Sequence, residues 1–293
     1  VIYNPIYTQY LMNLCGVSWF KMDEESGNLI DSKGSNIGTN NGTTVVTGVH
    51  RNARSFNGVN SYVQFNAPVI PHGEKSVRFK FKYDEIPSTN VAIIDCGGTS
   101  AQRGFLFATT PSGIAFQMSR GTSGTFNFVW TGGHYNNGLF HDFLFTYDGT
   151  LAGNSIQIYI DRSLVYEGKP LSLETTAYSN NLTLGRFASV ASGYGKGVLD
   201  ELEIYSEVIK PTLSKFLLSS DDKYSIKDST VFKMETDSEK NFLNYGADLI
   251  SNFNGYVTKQ KDIKSTNVIL GIGKTFEHTI DMSKRRVDKI ILG

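Results

Sequence analysis

The chain is poor in cysteine, with two among 293 residues, and in proline, with seven. Two thiols cannot build a disulfide framework or a cysteine-ligated metal site. Cys15 and Cys96 stand in apolar contexts and read as buried thiols. Net charge is missing as well: 28 Lys and Arg balance 28 Asp and Glu. A neutral total argues against a dedicated nucleic-acid binder, which carries a basic excess, and leaves room for local charge patches. No apolar run reaches the roughly 18 residues of a membrane helix, so no membrane insertion is expected. No signal peptide is legible, but the chain opens on Val1 and reads as a fragment of a longer protein, so that absence excludes nothing. The five histidines (His50, His72, His134, His141, His278) have no ligand-like spacing. No Ser-His-Asp or Cys-His arrangement has local support, and no glycine loop cradles a phosphate ahead of a helix.

What is present is a core. Hydrophobic residues make up 40% of the chain and charged residues 19%, with 29 Gly, 15 Tyr and 19 Phe. Aromatic and glycine-rich composition with few prolines suits short strands joined by glycine turns. The period is two through the first two hundred residues. Val77, Phe79, Phe81 and Tyr83 alternate with Arg78, Lys80 and Lys82; Ile156, Ile158 and Ile160 alternate with Gln157, Tyr159 and Asp161. Phe143, Phe145 and Tyr147 share one face, as do Leu202 and Ile204. Between such runs lie Asn57-Gly58, Gly97-Gly98, Gly132-Gly133, Asn137-Gly138 and Asp148-Gly149, all turn formers. About a dozen half-buried strands need two packed sheets, because a single sheet leaves one apolar face wet. The expectation is a mainly β protein, a two-sheet antiparallel jelly-roll sandwich over residues 1–209.

The texture changes after Ile209. Residues 210–293 read as a small α+β domain. It has a hairpin of strands Lys215–Leu218 and Lys223–Lys227 turning at Ser220-Asp221-Asp222, and a short helix over 238–245. Ser238 caps that helix and Gly246 closes it. Strands follow at 268–272 and 287–292. The apolar residues 2–7 lack an obvious partner within the chain and suggest an intermolecular contact.

Six phrases in order resemble the laminin-G-like, concanavalin-A-like lectin domain over about residues 17–206. They are Trp19-Phe20-Lys21-Met22-Asp23-Glu24-Glu25-Ser26-Gly27-Asn28 with Asp31-Ser32-Lys33-Gly34; Ser55-Phe56-Asn57-Gly58 with Ser61-Tyr62-Val63; His141 ahead of Tyr147-Asp148-Gly149; Ile158-Tyr159-Ile160-Asp161; Leu184-Gly185-Arg186; and Gly197-Val198-Leu199-Asp200-Glu201-Leu202-Glu203-Ile204-Tyr205, the closing strand. Such domains serve as lectins, adhesion modules and spacers alike, so the resemblance speaks to fold before ligand. In the last eighty residues, Lys215-Phe216-Leu217-Leu218-Ser219-Ser220, Lys223-Tyr224-Ser225-Ile226 and Asn241-Phe242-Leu243-Asn244-Tyr245-Gly246 resemble segments of tail-associated proteins of phages of Gram-positive bacteria. That resemblance implies a virion or bacterial-surface setting, with other chains of such an assembly as partners.

These residues bear on three kinds of chemistry. Sugar binding wants an exposed aromatic platform with planar polar groups on loops. The stretch 130–138, with Trp130, His134, Tyr135 and Asn136, is the first candidate; Arg103 and Tyr194 are second choices. The structural alternative has Trp130 packed into a sandwich edge and the loop as a plain connection. Calcium would take the oxygen-rich turns 28–31 and 57–60, with Asp31, Asn57 and Asp200 as ligands. The resemblance supports one structural Ca²⁺, although Asn57 stands where the family pattern has aspartate. The simpler reading is turns rich in Asn and Asp. A glycosidase needs two facing carboxylates. Alternation places Glu201 and Glu203 on one face and Asp200 on the other. The glycosidases of this fold carry three alternating acids on one strand, and the third is missing. Lys75, Arg78, Lys80 and Lys82 read as a solvated basic outer face, or as an attraction for an anionic wall polymer; Lys284-Arg285-Arg286 reads as a turn. The function expected is non-catalytic binding of a glycan, cell-wall polymer or cell surface, in a virion or outside a cell. A purely structural assembly module is the alternative, and a glycoside hydrolase the third.

Overall fold

The computed structural model describes residues 5–97, 104–119, 126–174, 177–178, 180–211, 215–218, 223–227 and 230–233. Contacts divide the chain into two compact units, Val1–Thr212 and Leu213–Gly293.

The first unit opens with helix α1 (Pro5–Cys15). Strands β1 (Gly16–Phe20), β2 (Leu29–Ile30), β3 (Ile37–Asn41), β4 (Thr44–Thr47), β5 (Asn52–Asn57), β6 (Tyr62–Gln64), β7 (Lys75–Lys82) and β8 (Val91–Asp95) follow. Next come β9 (Phe105–Thr110), β10 (Gly113–Ser119), β11 (Phe126–Gly132), β12 (His141–Tyr147), β13 (Ile156–Ile160), β14 (Ser163–Gly168), β15 (Thr183–Leu184) and β16 (Lys196–Tyr205). They form two eight-stranded sheets. The first runs β14-β13-β12-β7-β16-β5-β4, with β1 also on β16; the second runs β11-β10-β9-β8-β15-β6-β3-β2. Every pairing between these strands is antiparallel. The expected two-sheet sandwich is what the chain adopts.

The core forms where the two inner faces meet, and phenylalanine dominates it. Phe79 packs on Phe107 with ring centroids 4.7 Å apart, Phe107 on Phe116 at 4.9 Å, and Phe105 on Phe145 at 5.2 Å. These rings come from β7, β9, β10 and β12, so the alternation read in the sequence delivers apolar rings from both sheets to one layer. Cys15 and Cys96 are buried and unbridged.

The opposite face of β7 corrects the sequence expectation. Lys75, Arg78 and Lys80 are buried and not solvated. Arg78 makes a two-pronged pair with Asp142, at 3.0 and 2.5 Å, and Lys80 Nζ reaches the same carboxylate at 2.7 Å. Lys75 lies on the inward side with Val77 and Phe79, its ammonium 2.5 Å from Glu174. Lys82 rests over the Phe140 ring at 4.8 Å. Alternation reports which side a residue takes, but not whether another element covers that side. Helix α1 belongs to that covering. Leu11 and Met12 are wholly buried, and Thr8 donates to Glu203 of β16 at 3.2 Å. The helix also occupies residues 5–7, whose apolar side chains suggested an intermolecular contact; residues 2–4 lie outside the described residues.

The second unit contains an antiparallel sheet of β17 (Lys215–Leu218), β18 (Lys223–Lys227) and β19 (Thr230–Lys233). The hairpin strands expected at 215–218 and 223–227 are paired, and β19 extends them. The turn at 220–222, the helix at 238–245, the strands at 268–272 and 287–292 and the basic cluster at 284–286 lie outside the described residues.

Candidate functional site

The acids of β16 are disposed otherwise than simple alternation requires. Against β7 the register slips between Asp200 and Glu203: Asp200 faces Lys80, and Glu203 faces Arg78. Glu201 carries the bulge, with φ at 49°. One extra residue per bulge brings all three acids to the same side. Asp200, Glu201 and Glu203 are each wholly buried. Val49 and His50 amides donate to Asp200 Oδ2 at 2.6 and 3.5 Å, and Trp19 Nε1 donates to Glu201 at 2.6 Å. Glu203 receives the Thr8 and Tyr205 hydroxyls at 3.2 and 2.6 Å. Carboxylates with no exposed surface cannot meet a glycosidic bond, so this strand supplies no acid pair for hydrolysis.

The three residues singled out for calcium do not fit the ion as a set. Asp31 Oδ1 accepts from the amides of Trp19, Lys33 and Gly34, and Oδ2 accepts from Ser18 and Asn36. Burial opposes ionisation of Asp31, but these hydrogen bonds outweigh it and hold the carboxyl below its ordinary pKa. Asn57 Oδ1 accepts from the amides of Val59, Asn60 and Ser61 and from the Ser61 hydroxyl. Both side chains close their own turns and have no oxygen to spare. Asp200 alone retains an oxygen, Oδ1, without a hydrogen-bond partner. No group of three or more His, Cys, Asp or Glu that could hold a metal occurs among the described residues.

The 130–138 stretch is split by the fold. Trp130 belongs to β11, opposite Phe116 of β10. Its ring packs against the core beside Phe116 and Tyr166, at 6.3 and 6.2 Å. It is therefore an edge of the core and not a platform in a loop. Tyr135 is half-buried, edge-on to His141 at 5.2 Å, and its amide donates to the Tyr83 hydroxyl at 3.1 Å. His141 is held at both ring nitrogens, by Asp161 at 2.5 Å and Asn137 at 3.0 Å. His134 is exposed and Asn136 half-exposed. The loop is tied to Tyr83 of the neighbouring strand end through the Tyr135 and Gly138 amides, and His134 remains exposed. Arg103 lies outside the described residues.

Tyr194 is different. Val63 of β6 points into the core, so its neighbours Tyr62 and Gln64 point outward from the second sheet. The Tyr62 and Tyr194 rings lie 6.3 Å apart, tilted by 55°. The Arg186 guanidinium stands over the Tyr62 ring at 4.3 Å. Its Nη2 donates to Gln64 Oε1 at 3.1 Å, and its Nη1 donates to the carbonyls of Phe187 at 3.2 Å and Val190 at 2.9 Å. The 186–195 loop is thereby folded back over the sheet. Phe187 packs on Ala92, Leu106 and Ala108, and the Ala188 amide reaches Asp95 at 2.8 Å. Gly193, at φ 64°, lets the loop turn, and a Cβ there would meet the Phe187 ring at 2.3 Å. Tyr62, Gln64, Arg186 and Tyr194 are all half-exposed. Two rings, a guanidinium and an amide thus share one accessible face. In the sequence Tyr62 and Arg186 mark only the fold; their convergence depends on strands far apart in sequence.

Comparison with known proteins agrees with this architecture. Residues 57–212, more than half of the chain, match the family model described as the concanavalin A-like lectin/glucanases superfamily. A search of the curated proteins gives no match. Among solved structures, domain 4 of AbnA, a GH43 extracellular arabinanase from Geobacillus stearothermophilus in complex with arabinotriose, aligns with a TM-score of 0.50. The identity is 17%, covering 67% of this chain and 95% of that one. The botulinum neurotoxin serotype D binding domain aligns with a TM-score of 0.51 at 11% identity, over 79% of this chain and 65% of that one. A Trypanosoma rangeli sialidase in complex with 2,3-difluorosialic acid aligns with a TM-score of 0.50 at 10% identity, over 70% of this chain and 36% of that one. The chain spans less than two thirds of the toxin domain and of the sialidase. At these identities the structural likenesses speak to fold alone. With two antiparallel sheets packed face to face and the family model matched over residues 57–212, the chain belongs to the concanavalin A-like lectin/glucanases superfamily.

Proposed function

We propose that the sandwich is a non-catalytic carbohydrate- or cell-surface-binding module, and that its sugar lies on the outer face of the second sheet against Tyr62 and Tyr194. The observation that carries this reading is the half-exposed pair of phenol rings flanked by Arg186 and Gln64. Sugar rings stack their C–H faces on aromatic side chains, and planar amides and guanidinium groups meet their hydroxyls. The arabinanase domain, solved with arabinotriose, supports the reading as a relative of the same fold in a carbohydrate setting. Burial of the three β16 acids supports a binder over a hydrolase. We take the setting to be the outside of a cell or a virion, as part of a bacterial surface protein or a phage tail. The phage setting rests on the sequence phrases of the last eighty residues alone.

A glycan array that includes Gram-positive wall polymers tests the proposal, read with the full chain and two variants. Tyr194→Ala should lose binding at unchanged thermal stability. Trp130→Ala should instead unfold more easily, by about 2–4 kcal/mol, because it empties an edge of the core. Silence across the array, or full binding by Tyr194→Ala, would remove the proposal. A second reading, a structural module for protein assembly, is favoured by one observation: β14 ends the first sheet with Leu164 and Val165 exposed.

A further inference from the structure

Arg186 differs from the cations buried in the sandwich. Arg54 lies 3.6 Å from Glu24 and Lys75 lies 2.5 Å from Glu174, while Arg78 and Lys80 share Asp142 at 2.5 and 2.7 Å. Each of these charges is answered where it sits. Among the described residues Arg186 has no carboxylate within ion-pair distance. Its hydrogen bonds go to neutral acceptors, two carbonyls and the Gln64 amide oxygen, and its Nε has no partner among the described residues. Asp95 lies on the same face, but its oxygens hold the amides of Gly97 and Ala188 at 2.8 Å each.

A guanidinium does not give up its proton at any working pH. A full positive charge therefore stands against the Tyr62 ring on a half-exposed face, beside Tyr194. A neutral sugar would use the rings and leave that charge unmatched. A sugar bearing a carboxylate or phosphate would use both, because partial burial strengthens the attraction over its value in water.

We infer that this site takes an anionic saccharide, its ring against Tyr194 and Tyr62 and its carboxylate or phosphate toward Arg186. The inference rests on the binding reading above and adds the chemical class of the ligand. The same face then supplies the attraction to acidic wall polymers that Lys75, Arg78 and Lys80 of β7, being buried, cannot supply.

Matched ligands give a test that does not depend on the folding of any variant. Oligosaccharides ending in sialic or uronic acid are printed beside their carboxyl-reduced forms, and a glycerol-phosphate polymer beside its uncharged glycan backbone. The full wild-type chain should prefer the acidic member by roughly tenfold or more, and the preference should shrink as salt rises. The carboxylate and phosphate pairs show which acid is taken. Arg186→Gln should bind both members of a pair alike, whereas Arg186→Lys should retain part of the preference. Equal binding of acidic and reduced sugars by the wild type would overturn the anionic class and leave sugar binding standing. Silence toward every saccharide would overturn the binding reading and this inference with it.

Discussion

Asp200 is the residue at which burial and charge conflict most openly. It is wholly buried, and one of its oxygens has no partner. Burial pushes its carboxyl up to about 7, against the opposing pull of the Val49 and His50 amides. The folded chain thus binds this proton more tightly than the unfolded chain, where the group has its ordinary value of 3.8. The stability carried by the proton is complete below the unfolded pKa and is lost as pH rises through the folded one. Asp200→Asn keeps an oxygen for the same amides and removes the charge. It should exceed wild type in stability by about 1–3 kcal/mol near pH 8, with the gap narrower at pH 5 and closing only below the unfolded value. Urea melts at the two pH values, run with a chelator present, would show this; a gap independent of pH would mean that Asp200 is not the group responsible. Asp142 is the contrary case. Burial acts against its charge, yet Arg78 and Lys80 together hold its pKa far below the ordinary carboxylate value. None of this was legible in composition, since a lysine or aspartate on an outward-facing strand position looks the same whether or not something packs over it.

Among the elements, the 186–195 loop matters most for the candidate site. Three features fix it: the Arg186 clasp on the Phe187 and Val190 carbonyls, Phe187 seated on Ala92, Leu106 and Ala108, and Gly193 at positive φ. Gly193→Ala combines an unfavourable backbone conformation with a clash against the Phe187 ring. It should cost about 1–3 kcal/mol of stability and, by displacing Tyr194, weaken glycan binding by roughly tenfold or more. Binding isotherms and urea melts on the same preparation would separate the two effects, and unchanged binding would detach the loop from the site. At this scale the strands were readable because period two with aromatic and β-branched residues has one structural solution. Helix α1 was not: the short segment 5–15 is apolar without a strong helical pattern, and it is Thr8, Leu11 and Met12 docking on the sandwich that give it a place. The β16 bulge was hidden for a related reason, since one extra residue leaves no mark in a hydrophobic pattern that resumes at Leu202 and Ile204.

For the whole molecule, the question is what the sandwich meets. If the β14 edge with Leu164 and Val165 pairs with another chain, the protein should self-associate or capture a strand, and Leu164→Lys should abolish that. If glycan binding is the function, the variant should bind sugar as the wild type does. Sedimentation together with the array separates these outcomes. Among the described residues no helix is long and apolar enough to cross a membrane.

The sequence by itself determined that this would be two antiparallel sheets with an aromatic core, because side-chain alternation and glycine turns are local and need no knowledge of partners. Its ordered phrases also pointed to the family. The tertiary structure alone decided which of those residues are available for chemistry. It sent Trp130 into the core edge and shut Lys75, Arg78 and Lys80 of β7 and the β16 acids away from solvent. It brought Tyr62, Arg186 and Tyr194 to one face. Those outcomes depend on which strand lies beside which and on what covers each sheet, and both follow from contacts between residues distant in the chain, such as Arg78 with Asp142, Arg186 with Gln64 and Thr8 with Glu203.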